Sequence, residues 1–142
     1  MSIEQEIQAK GLTAPRITPA DIEDRIASEW YFNAAEAVPT DEYHAPVPAV
    51  HPLRQLTICV LVLRNGFTVT GESACASPEN FDRELGQKIA RENAVRKIWP
   101  LEGYLLREAL YSAEAFDKAT LEWFRCEVGA EDDASCQEGV EG

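Results

Sequence analysis

Residues 56–67 read LTICVLVLRNGF, an apolar, β-branched run of eight residues closed within three positions by Asn65-Gly66. So short a run bounded by turn residues reads as a strand, and Asn-Gly is a strong hairpin signal because its residues tolerate positive φ. Taking Asn65-Gly66 as a two-residue turn pairs 64 with 67, 62 with 69, 60 with 71 and 58 with 73. Ile58, Val60, Val62, Phe67 and Val69 then share one face. That face is the expected core, since each large apolar side chain contributes roughly 1.5–3 kcal/mol when fully buried. The opposite face carries Cys59, Leu61, Leu63, Thr68, Thr70 and Glu72 and is too apolar to be simply solvated, so the N-terminal helix or a second copy of the chain is expected to cover it.

The flanking segments supply the helices. In ITPADIEDRIASEWYF, from Ile17, Thr18 is placed to cap, Pro19 to occupy the first helical position and Asp21 to sit near the positive end of the dipole. Ile22, Ile26 and Trp30 recur every four residues and predict a helix over about 19–32. Pro39, Pro46, Pro48 and Pro52 predict an extended connector over 39–52. Ser77-Pro78 repeats the cap-then-proline device and opens a helix over about 78–97.

On that helix Phe81, Leu85 and Ile89 form one row and Gly86, Ala90 and Ala94 an adjacent row of small residues. A glycine inside a helix costs about 1 kcal/mol relative to alanine, so Gly86 implies a close approach by another backbone. Pro100 kinks or restarts the helix, LEGYLLREALY continues as helix, and a short last helix over about 113–124 can follow. Trp99 and Tyr104 read as core or interface anchors beside the proline. The fold class is α+β: an antiparallel hairpin (about 55–63 and 67–75), with room for one more strand, packed on a long helix, with an N-terminal helix and a C-terminal helical segment.

The chain has 142 residues, the size of one domain, and a formal net charge of −12. The expected organisation is a polar lead-in over 1–17, a single domain over 18–126 and an acidic, disordered tail over 127–142. The acidity argues against nucleic acid as a partner. No apolar run is long enough to span a bilayer, and no signal peptide is evident, which gives an expectation of a cytoplasmic, membrane-free protein. Cys59, Cys75, Cys126 and Cys136 lack the close spacing of a zinc site, and His44 and His51 lie among prolines, so neither metal nor cofactor is expected.

The segment LTICVLVLRNGFTVTGESACASPENFDRELGQKIARENAVRKIWPLEGYLL (56–106) resembles a family of tailed-phage and prophage proteins named after gene products 49 and 66 of phages N4 and Sf6. The likeness runs through NGF, GES, the ENFD helix start, the A-x-E-N-A helix and the W-x-L-x-G-Y ending, and ITPADIEDRIASEWYF is similar to the family's N-terminal segment. The resemblance implies a small phage- or prophage-encoded protein and carries no catalytic or binding residue with it.

The residues themselves offer a few candidate contacts. Glu72, between Gly71 and Ser73, stands opposite Cys59 in the expected register, without a second acid or a histidine to assist catalysis. Asn93 is a polar amide beside the small-residue row, and Asn80 and Arg83 sit at the helix start, where a ligand could meet them. The basic residues of this helix scatter around its wheel and pair with Glu84 and Glu92, the pattern of a solvated surface. Phosphate-loop and nucleophile-elbow patterns are missing. The expectation is a non-enzymatic accessory protein that binds a host protein or itself. A nucleotide-signal binding protein is the alternative, and an enzyme using Glu72 a weaker one.

Overall fold

The computed structural model describes residues 1–40 and 45–129. Two compact units divide the chain, Met1–Gly103 and Tyr104–Gly142. The first holds a three-stranded antiparallel sheet in the order β1 (Ile26–Asn33), β2 (Leu56–Leu63), β3 (Thr68–Ala74). Helices α1 (Ile3–Ala9) and α2 (Pro19–Arg25) precede it, and α3 (Arg83–Gly129) follows. The α+β class is as the sequence indicates.

The N-terminal helix is shorter than its periodicity predicts. Thr18 caps and Pro19 starts the helix as read from the sequence, and Asp21 goes further and completes a reciprocal capping box with Thr18, but the helix ends at Arg25 and Ile26–Asn33 forms the additional strand. The Trp-Tyr-Phe run favours a half-buried pleated surface, and β1 pairs with β2 from Ser28 to Asn33, with an irregularity between Ile26 and Ser28. Ile22 still reaches the core, while Trp30, placed on the same helical stripe by the sequence, is 62% exposed on the sheet.

The hairpin differs from expectation by one residue, and that residue inverts the face that β2 buries. Gly66 N–H donates to the Leu63 carbonyl at 2.9 Å, and Leu63 N–H donates to the Phe67 carbonyl at 2.8 Å. The connection is therefore three residues, Arg64 to Gly66. Gly66 has φ +86° while Asn65 keeps a negative φ, so a turn precedes a left-handed glycine instead of two left-handed residues. Asn65 serves through its side chain, whose Oδ1 accepts from Phe67 N–H at 3.0 Å.

Leu61 pairs with Val69 and Cys59 with Gly71. The buried face is Thr57, Cys59, Leu61, Leu63 and Val69; Ile58, Val60 and Val62 lie on the other face, and Phe67 is 55% exposed. The one-residue slip exchanges the faces of β2 against β3: Val69 is on the buried side as expected, but Cys59, Leu61 and Leu63 accompany it in place of Ile58, Val60 and Val62.

The reason for this register lies in the packing of α3. Gly86, Ala90, Ala94 and Ile98 recur every four residues and are all buried, which makes a smooth stripe along the helix. That stripe lies so close to the sheet that a Cβ on Gly71 would stand 2.1 Å from the Ala90 carbonyl oxygen and 2.3 Å from the Ala94 nitrogen. Only a register that turns Gly71 toward the helix permits this approach. Gly86 meets a side chain, with Thr57 Oγ1 2.9 Å from its would-be Cβ. Ile22, Leu61 and Ile98 are the largest fully buried apolar side chains, with Ile17, Ile26, Tyr31 and Val95 packed around them.

The start of α3 also differs in detail. Ser77-Pro78 opens only a short 3-10 turn, Pro78–Asn80, and Ser77 makes no capping bond. Asp82 caps α3 instead, its Oδ1 accepting from Leu85 N–H at 2.8 Å. Leu85 and Ile89 are exposed, so the Phe81 row is not the buried one. The helix runs unbroken through Pro100. Proline removes one ladder hydrogen bond, and at this exposed position water can hydrate the carbonyl left over. Trp99 and Tyr104 are exposed and are not core anchors.

In the second unit the described part is helix throughout, covering the segment predicted as a separate last helix. Its Tyr111, Phe116 and Leu121 are exposed, and Arg107 and Glu114 approach to 3.5 Å. The expected acidic tail lies mostly outside the described residues.

Candidate functional site

Two cavities meet at the end of the sheet where α3 begins. The larger, about 300 Å³, is lined by Phe32, Asn33, Glu36, Ala49, Arg54, Thr57, Phe81, Arg83 and Gln87. The smaller, about 140 Å³, includes Ser73, Cys75, Asn80, Asp82 and Ile89 in its wall and shares Thr57 and Phe81 with the larger.

Local structure explains how these side chains come together. Asn33 ends β1 and caps the 3-10 turn that follows, its Oδ1 accepting from Ala35 N–H at 3.0 Å, while its Nδ2 donates to the Arg54 carbonyl at 2.5 Å. Arg54 lies on a second 3-10 turn, Pro52–Gln55, whose first amide is capped by His51 Nδ1. Its guanidinium ties down the connector by donating to the Pro48 and Val47 carbonyls at 2.7 and 2.6 Å. Arg83, in the first turn of α3, donates to Glu36 at 3.2 Å. The Asn33 N–H and the nearby guanidinium of Arg83 together hold the Glu36 carboxyl below the usual carboxylate range.

The residues singled out from sequence are dispersed by the fold. Arg83 lines the larger cavity, and Ser73 and Asn80 the smaller. Gly71 is buried beneath α3. Glu72 is exposed on the open face, paired with Ile58, whereas Cys59 pairs with Gly71 and is buried on the helix side; the expected Glu72–Cys59 juxtaposition is overturned by the register. Asn93 donates its Nδ2–H to the Glu72 carbonyl at 2.8 Å, tying α3 to β3. Among the described residues no group of acidic, histidine and cysteine side chains could hold a metal ion.

Sequence reading missed Phe32, Asn33, Arg54, Thr57 and Gln87. Phe32 was hidden by the helix predicted over about 19–32, and Asn33 lay just beyond its end; a signal was available in the aromatic run Trp30-Tyr31-Phe32. Thr57 was assigned to neither face of the hairpin.

A second polar cluster was missed for the same reason. Arg91 donates its Nε to Glu29 at 2.8 Å and both Nη atoms to Glu23, at 3.1 and 2.7 Å. Tyr31 Oη donates to the other oxygen of Glu29 at 2.9 Å. The Arg91 hydrogen bond holds the Glu29 carboxyl below its ordinary range, while burial pushes the Tyr31 phenol and the Cys59 thiol up. With every charge paired, this network ties α3 to β1 and α2. A further hollow of about 520 Å³ sets Arg16, Arg25 and Arg64 against Asp21, Asp24 and Glu102, where the charges balance.

The remaining surface of note is the second face of the sheet. Trp30 and Phe32 of β1 lie beside Val60 and Ile58 of β2, with Thr70 and Glu72 of β3 on the far side. Trp30 is largely exposed, and Phe32, Ile58, Val60 and Val62 are only partly buried.

Comparison with known proteins bears on all of these features. A family model described as "Phage protein (N4 Gp49/phage Sf6 gene 66) family" matches residues 17–110, about two thirds of the chain. The chain belongs to this phage protein family. The matched range contains α2, the whole sheet, both joined cavities and α3 as far as Leu110. No curated protein and no solved structure gives a significant match. Within the described part of this family member, no helix is long and apolar enough to cross a membrane.

Proposed function

We propose that this phage protein is a non-enzymatic accessory protein of the infected or lysogenic host's cytoplasm that works by binding, with the open face of the sheet as its binding surface and a second copy of the chain as its first occupant. The observation that carries this reading is the apolar column Ile58, Val60 and Val62 flanked by Phe32 and by the largely exposed Trp30. A sheet ordinarily buries both faces when both are apolar, and a contiguous exposed apolar patch marks an interaction surface.

Self-association suits the composition of the face. In a chain of net charge −12, it presents Ser28, Thr68 and Thr70 at its margins and Glu72 as its acidic residue. Two copies can therefore meet there with little like-charge repulsion, and one apolar patch meeting itself about a two-fold axis is the commonest form of oligomer.

The test is co-purification of two differently tagged copies expressed together. Untagged-bait controls stay empty, the two wild-type copies recover each other, Trp30→Ser in both copies weakens the recovery and Val60→Lys in both abolishes it. Equal recovery with Trp30→Ser and with Val60→Lys removes the sheet face as the binding surface.

A further inference from the structure

The joined cavities at the start of α3 carry an assignment of their own, independent of whether the sheet face self-associates. Thr57 is the first indication. It is 3% exposed and lines both cavities, yet its hydroxyl makes no hydrogen bond among the described residues. No enclosed side-chain polar atom lacks a partner among the described residues, so the Thr57 hydroxyl opens into the cavity, where a ligand's polar group can take the place of water. The Gln87 amide, in the wall of the larger cavity, is likewise unpartnered among the described residues.

Charge is the second indication. Among the described residues that line the larger cavity, Arg54 and Arg83 stand against Glu36, a cationic balance of one in a strongly acidic chain. Arg54 uses its Nε and one Nη on backbone carbonyls and meets Glu36 only through space, without an ion-pair contact among the described residues. The third is shape. Phe32 and Phe81 wall the same cavity, and a volume of about 300 Å³ is at the lower end of the range for small-molecule sites.

The geometry points to a binding site for a small organic anion bearing a flat ring, of mononucleotide size. Arg83 and Arg54 take the anionic group, Phe32 and Phe81 the ring, and the Thr57 hydroxyl and Gln87 amide the polar edge. Guanidinium groups suit this task because their planar fork matches phosphate or carboxylate oxygens.

The experiment is titration calorimetry on the full chain with AMP, UMP, adenosine and inorganic phosphate. The expected result is saturable binding of at least one mononucleotide at one per chain, about ten-fold or more tighter than adenosine or phosphate, since a charge-assisted contact and a ring contact are each lost in those probes. Arg83→Gln and Gln87→Leu, both on the surface of α3, weaken that binding about ten-fold while circular dichroism stays unchanged. Thr57→Val does the same where the variant folds. No saturation by either mononucleotide at millimolar concentration overturns the assignment. So does phosphate binding as tightly as the mononucleotide, or undiminished affinity in both Arg83→Gln and Gln87→Leu.

Discussion

Replacing Gly71 by alanine adds one methyl group and is expected to be among the most damaging small changes available in this chain. The new Cβ would lie 2.1 Å from the Ala90 carbonyl oxygen, 2.3 Å from the Ala94 nitrogen and 2.9 Å from the Ala94 Cα. All three are backbone atoms of one helix, so no rotamer change can relieve the contact. To restore an ordinary 3.4 Å separation from the oxygen, α3 must retreat by about 1.3 Å, the difference from 2.1 Å. A gap of 0.5–1 Å already forfeits roughly a quarter to a half of a dispersion contact, and the retreat opens such a gap along Ala90, Ala94 and Ile98.

Overpacked cores lose about 1–3 kcal/mol, and a clash that only whole-helix movement can relieve belongs at the upper end, about 3 kcal/mol. With a urea m-value of about 1–3 kcal/mol/M, the midpoint should fall by about 1–3 M without a change in m. Gly86→Ala is the internal control: its Cβ meets the Thr57 hydroxyl at 2.9 Å, a side-chain atom that can turn away, and the gain in helix propensity of about 1 kcal/mol offsets the cost. A Gly71→Ala midpoint within error of wild type would refute the close approach and the register that depends on it.

Helix capping gives a second contrast: Asp82→Ala should cost about 1 kcal/mol in urea melts, whereas Ser77→Ala, which removes no capping bond, should change stability by less than about 0.5 kcal/mol. Arg91→Leu strands Glu23 and Glu29 and should cost about 2 kcal/mol, read in the same melts. Because the folded Glu29 carboxyl is held below its unfolded value near 4.5, its contribution is present above that pH and is lost as the pH falls through the folded value. The acid limb of urea midpoint against pH should therefore flatten in Arg91→Leu. Thiol labelling mapped by mass spectrometry should find Cys59 protected in the native protein, since it is fully buried with its thiol pushed up, and Cys75, half-buried, labelled first of the two.

Local chemistry was legible wherever a few neighbouring residues decide the outcome. The Thr18 cap, the β2 strand, the glycine of the hairpin turn and the small-residue stripe of α3 all stand where the sequence places them. What depended on packing was less so. Ile22, Ile26 and Trp30 fit a helical spacing, but β1 forms because β2 offers a partner from Ser28 to Asn33, and a single-segment pattern holds no trace of that partner. Asn-Gly fits both a two-residue and a three-residue turn, and the choice between them fixes which face of β2 is buried. Of the cavity lining, Arg83 could be suspected from its place at a helix start. Arg54 and Phe32 come from segments that only the folded sheet brings together, Arg54 from between the predicted connector and the first strand and Phe32 from the predicted helix.

The central functional claim is that the open sheet face, with Trp30 at its edge, is an interaction surface that a second copy of the chain occupies. Light scattering coupled to size exclusion over a micromolar concentration series measures this directly. The account predicts a wild-type mass of at least twice 15.8 kDa and a single-chain mass for Val60→Lys, with Trp30→Ser between them. A wild-type protein of 15.8 kDa across the whole series would contradict it.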